Sequence, residues 1–112
     1  MKTNQIMIRP MGQFKVEQRT KYGFFNATSL LKQWNKQSGQ QKKMLHYTDN
    51  AYTQEFLTAL LKEEKLKDRN FVLLQTRGKS GGTWMLPLAF LDFAMWLNPT
   101  FKVNKILKFV AD

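Results

Sequence analysis

The chain of 112 residues contains no cysteine, which removes disulfides and thiolate metal sites and fits a reducing, cytoplasmic setting. Its single histidine, His46, leaves neither a two-histidine metal site nor a triad built on histidine and cysteine. Acidic residues are scarce: eight Asp and Glu stand against eighteen Lys and Arg. Long apolar runs are missing too. The longest, Trp84 to Leu97, is interrupted by Pro87 and Asp92 and is too short to span a bilayer. The opening MKTNQIMIRP lacks the apolar core and small-residue cleavage site of a secretory signal. No internal repeat, linker or low-complexity segment is visible.

What is present points to a folded, strongly basic module. A hydrophobic fraction of 43%, with 13% aromatics, excludes a disordered chain. The length suits one domain, residues 1–112, burying roughly two-thirds of its unfolded surface. The net charge of +10 is concentrated early, with nine basic and two acidic residues in 1–50 against nine and six in 51–112. Such a surplus calls for a polyanionic partner, and nucleic acid is the commonest.

Hydrophobic period and turn residues divide the chain into elements. Ile6 to Ile8, closed by Arg9-Pro10, then Phe14 to Val16 and Tyr22 to Phe25 read as strands, with Gln18 to Lys21 as a hairpin turn between the last two. The period then changes. Asn26 suits a helix N-cap with Phe25 stapled onto Leu30; Ala27, Leu30, Leu31 and Trp34 share one face, and Ser29, Lys32, Gln33 and Lys36 the other. Gly39 is placed to follow the helix end. Met44 to Tyr47 makes one further helical turn. After a cap at Asp49 or Asn50, a stripe of Tyr52, Phe56, Leu57, Leu60 and Leu61 predicts a helix with Thr53, Gln54 and Thr58 turned elsewhere, ended by Asp68 to Asn70. Phe71 to Leu74 predicts a strand and Thr83 to Met85 its return. Pro87 opens an apolar helix running to Trp96. After Asn98-Pro99, a last helix places Val103, Ile106, Leu107 and Val110 on its apolar face and Lys102, Lys105 and Lys108 outside. Strands, two or three helices, a hairpin and two C-terminal helices make an α+β domain.

The stretch RGKSGGTW, Arg77 to Trp84, contains the letters of a phosphate-binding loop but not its context. The P-loop pattern requires a first glycine where Leu73 stands, and a helix where Gly81-Gly82 and Thr83-Trp84 favour a strand. A nucleotide ligand is excluded on that ground, and the segment reads as the tip of a charged hairpin whose glycines let backbone approach a ligand closely. Glu55, Glu63, Glu64 and Asp68 lie among lysines as a solvated face rather than a metal cluster. Asp92, inside an apolar helix, is expected to cap or to pair with a basic neighbour, and no second carboxylate accompanies it for catalysis. No enzyme, cofactor or metal is expected.

Three blocks, YGFFNATSLLK, YTQEFLTALL and RGKSGGTWMLPLAFLDFAMWLNPTFKVNKI, together spanning Tyr22 to Ile106, resemble the KilA-N domain, a DNA-binding module of bacteriophages, prophages and large DNA viruses. GGTW with the downstream WLNPTF is the most specific part. The same blocks are similar to the fungal APSES domain, a winged helix-turn-helix variant. The resemblance implies such a fold, with Asn26 to Lys36 as the first helix of the reading unit and Arg77 to Gly82 as the wing. It implies double-stranded DNA as partner and a phage-type regulator or antirepressor. Members often continue into a second domain.

On that resemblance Lys42 and Lys43 neutralise phosphates, Lys32 and Lys36 flank them, and the wing residues Arg77, Gly78, Lys79 and Ser80 reach the backbone or minor groove. Gln40, Gln41 and Gln54 are the base readers, since an amide pairs bidentately with adenine. Asn26 and Thr28 are assigned to capping. Two alternatives to double-stranded DNA stay open: a protein-interaction module for an acidic repressor, and single-stranded or RNA binding, which calls for exposed aromatics; a homodimer is neither required nor excluded. The recognition element is left between Gly39 and Leu60.

Overall fold

The computed structural model describes residues 5–76 and 82–111. Two strands open the chain, β1 (Ile6–Met11) and β2 (Phe14–Arg19), joined by a tight turn at Gly12 and Gln13 where Gly12 takes a positive φ of 63°. The strand expected over Ile6 to Ile8 therefore continues through Pro10. Proline is tolerated because β1 is an edge strand. The two-residue β3 (Phe25–Asn26) pairs antiparallel with β2, but Gln18 and Arg19 belong to the strand rather than to its turn. The expected antiparallel pair therefore forms across a shorter turn, Arg19 N donating to Phe24 O at 2.8 Å, and β1–β2 adds a hairpin that was not expected.

Three helices follow: α1 (Ala27–Ser38), the short α2 (Met44–Thr48) and α3 (Ala51–Glu63). Asn26 caps α1 as expected, its Oδ1 accepting from Ser29 N at 3.0 Å, and Gly39 ends it in the left-handed conformation at φ 77°. The expected Phe25 staple takes another form: its ring stacks on Phe90 at 4.6 Å between centroids. Asn50 caps α3 by accepting from Tyr52 N. The expected stripe of α3 holds for Phe56, Leu57, Leu60 and Leu61 but not for Tyr52. Thr53, Leu57 and Leu60 are buried, whereas Tyr52 is 83% exposed. Helix α3 also stops earlier than expected: Lys65 adopts a positive φ of 56°, and Leu66 N donates to Leu61 O at 2.9 Å, so the last turn closes before Asp68.

A 3-10 turn at Arg69–Phe71 precedes the second hairpin, β4 (Leu73–Thr76) and β5 (Gly82–Met85). Phe71 and Val72 thus fall outside the expected strand, because their N–H groups donate to Asp68 O and Arg69 O. Helix α4 (Pro87–Leu97) starts with Pro87 in its first turn, and α5 (Pro99–Ala111) follows at once.

Among the described residues the strands form one antiparallel sheet in the order β1-β2-β3-β5-β4, accompanied by five helices. The α+β expectation holds. The core lies between one sheet face and α1, α3 and α4, filled by Phe14, Val16, Leu30, Leu57, Met85 and Phe93. Gln33 ties α1 to β2 by bonding both backbone groups of Lys15, donating to its carbonyl at 2.7 Å and accepting from its N–H at 3.1 Å. Tyr47 of α2 is fully buried against Phe93 and Trp96, and its hydroxyl donates to Asp92 at 2.7 Å. Asp92 therefore partners a phenol, not a cation. Burial, and then the carboxylate beside it, drive the Tyr47 hydroxyl well above its ordinary range.

Candidate nucleic-acid interface

The charge asymmetry has a defined location. Between Glu17 and Asp49 no acidic residue occurs, while Arg19, Lys21, Lys32, Lys36, Lys42 and Lys43 do. Within that stretch α1 carries Lys32 and Lys36 exposed at i and i+4, on one face. Thr28 lies one turn before Lys32 on the same strip, and it is where α1 meets the second hairpin. Strand β3 ends at Asn26, opposite Trp84, so on that edge β5 has no strand partner beyond that pair, its other edge being paired with β4. The Thr28 hydroxyl replaces it, accepting from Thr83 N at 2.7 Å. The approach is close enough that a Cβ on Gly82 would lie 3.0 Å from Thr28 Oγ1. On the other side Asn26 ties the start of α1 to β2, donating to Glu17 at 2.8 Å. The NAT and GGTW segments therefore touch each other. Asn26 caps, as expected; Thr28 instead fastens the hairpin to the helix, a role that no local pattern announces.

The loop after α1 is shaped by side-chain amides. Asn35 clamps the backbone of Lys42, accepting from its N–H at 3.0 Å and donating to its carbonyl at 2.8 Å. Gln40 Oε1 accepts from the Trp34 indole at 2.9 Å. Lys42 turns inward: its ammonium donates to Leu97 O at 3.2 Å and lies 4.9 Å from the Trp96 ring centroid, capping the C-terminal end of α4. Lys43 and Gln41 remain exposed, and Gln41 has no partner among the described residues. From Thr28 through Lys32 to Lys36 the strip rises about 12 Å at 1.5 Å per residue, and Gln40 follows just past the end of α1. A ridge thus runs from the turn-proximal end of the β4–β5 ladder to the exposed loop.

The remaining expected site residues are placed differently. Gln54 is engaged at both ends, its amide nitrogen donating to Thr48 O and its oxygen accepting from Arg69 Nη1 at 2.8 Å. The exposed side of α3 carries Glu55 and Glu63 beside Tyr52 and Lys62, so it lacks the ridge's positive bias. Arg77, Gly78, Lys79 and Ser80 lie outside the described residues. Their flanking strands are described, and Thr76 closes the last visible pair by accepting from Gly82 N at 3.1 Å. Among the described residues no helix is long and apolar enough to cross a membrane.

Comparison with known proteins adds one finding: the model of a family described as the KilA-N domain matches residues 10–111. No curated protein and no solved structure matches the chain.

Proposed function

We infer, from a chain that belongs to the KilA-N domain family over residues 10–111, a family of DNA-binding domains, that the α1 ridge and the β4–β5 hairpin form one docking surface for double-stranded DNA. The observation that carries this reading is the Thr28 contact, which holds the lysine-bearing helix and the turn-proximal end of the hairpin as one body. Lys32, Lys36 and Lys43, with Arg77 and Lys79 at the hairpin tip, contact phosphates. Gln41, exposed beside Lys43, reads base edges, with the amide nitrogen of Gln40, which has no partner among the described residues, as its neighbour. Gly78 and Ser80 let the tip lie close to the sugar-phosphate backbone. The arrangement works as a winged helix-turn-helix variant with β4–β5 as the wing, in a cytoplasmic transcriptional regulator or antirepressor of the phage or prophage type.

The energetics are set by counterion release. Five phosphate contacts give a plot of log K against log salt with a slope of about −4 to −5. Lys43→Ala lowers that slope by about one and weakens all duplexes alike, whereas Gln41→Ala costs about 1–3 kcal/mol on the preferred sequence and little elsewhere. Titrations of labelled duplexes at several salt concentrations check both. Binding independent of salt contradicts the reading.

A further inference from the structure

Chemistry and burial disagree in α5. Its sequence is amphipathic, yet every residue from Lys102 to Ala111 is exposed, and Phe101 alone packs against the core. A helix of this length is marginal in water without packing, since isolated helices need more than about 12–15 residues. The expected orientation is also reversed. Phe101 and Lys105 face the body, lining with Arg9 and Leu91 a groove of about 370 Å³, and the Lys105 ammonium lies 5.1 Å from the Phe101 ring centroid. Val103, Ile106, Leu107 and Val110 lie half a helical turn away, pointing outward and 50–72% exposed.

We propose that this stripe is a self-association surface, covered by the α5 of a second copy of this chain packed antiparallel about a two-fold axis near Ile106 and Leu107. The charge distribution selects this occupant. Lys105 and Lys108 sit on the opposite side, and Lys102 only borders the stripe, so two stripes meet without opposed ammonium groups. An antiparallel pair also sets each Lys102 beside the C-terminal carbonyls of the other helix, where a cation is favoured; a parallel pair sets the two lysines together. Two-fold pairing matches each apolar side chain with another. A lipid surface would require cations bordering the stripe on both sides to reach headgroups, and duplex DNA would require them on the stripe. A standard interface takes roughly 800 Å² from each partner, more than two turns of one helix supply, so the free pair is weak. Two copies on one duplex gain in effective concentration. Only this last step rests on the DNA reading.

Sedimentation of the chain without DNA, across a roughly 100-fold range of concentration, separates the two proposals. The weight-average mass rises from monomer toward dimer. Ile106→Glu and Ile106→Lys each weaken association by at least about tenfold, and an equal mixture restores it, because Glu then faces Lys across the axis. The site is exposed, so unfolding curves at low concentration stay unchanged and report an intact fold. A monomer at every concentration, association indifferent to both substitutions, or a mixture that restores nothing overturns the proposal. So does binding of the unaltered chain to phosphatidylserine vesicles that the Ile106 variants lose.

Discussion

Lys42 and Lys43 are adjacent in sequence and opposite in placement. The Lys42 ammonium ends on the carbonyls at the C-terminus of α4 and over Trp96, while Lys43 stays exposed. Lys42→Met is expected to lower stability by about 1–2 kcal/mol, since it removes a cation from a helix C-terminus and from an aromatic face. It leaves the salt slope of DNA binding nearly unchanged, while Lys43→Ala does the reverse. Chemical unfolding together with a salt series on each variant checks the contrast. Sequence alone presents the two lysines as equivalent, because what separates them is α4, more than forty residues downstream. The same holds for Gln54: its amide is a candidate base reader by type, but the fold spends both its ends on Thr48 and Arg69.

Helices were legible where a local rule sets their ends. Asn26 and Asn50 cap, Gly39 terminates, and Pro87 opens, each through groups within a few residues. What escaped was set by distant neighbours. Thr53 is buried in place of Tyr52 because the core that α3 packs on takes the centre of its stripe, where Thr53 lies between Leu57 and Leu60 at about 100° per residue, and leaves Tyr52 on the margin. The Thr28 contact is likewise long-range, joining α1 to a strand 55 residues later. It yields a prediction for these two elements together. Thr28→Val keeps the shape but leaves the Thr83 N–H unpaired in a buried site, costing about 1–3 kcal/mol. At temperatures where the variant remains folded, its DNA affinity is expected still to fall, because the β4–β5 hairpin is no longer held to the lysine ridge. Equal affinity of the folded variant and the original would separate the contact from binding.

At the scale of the molecule, a surplus of positive charge was plain from composition, but composition does not say which face carries it. The described structure gives the exposed side of α1 a ridge free of carboxylates, gives α3 an outer side with Glu55 and Glu63, and gives α5 an apolar stripe turned outward. These three surfaces predict different footprints, which makes backbone amide shifts in NMR spectra, recorded as a short duplex is added at low salt, the most direct measurement. The account predicts that shifts concentrate on Thr28 to Lys43 and on the residues flanking the β4–β5 turn, Thr76 and Gly82. Shifts confined to the outer sides of α3 or α5, with α1 unmoved, would contradict it.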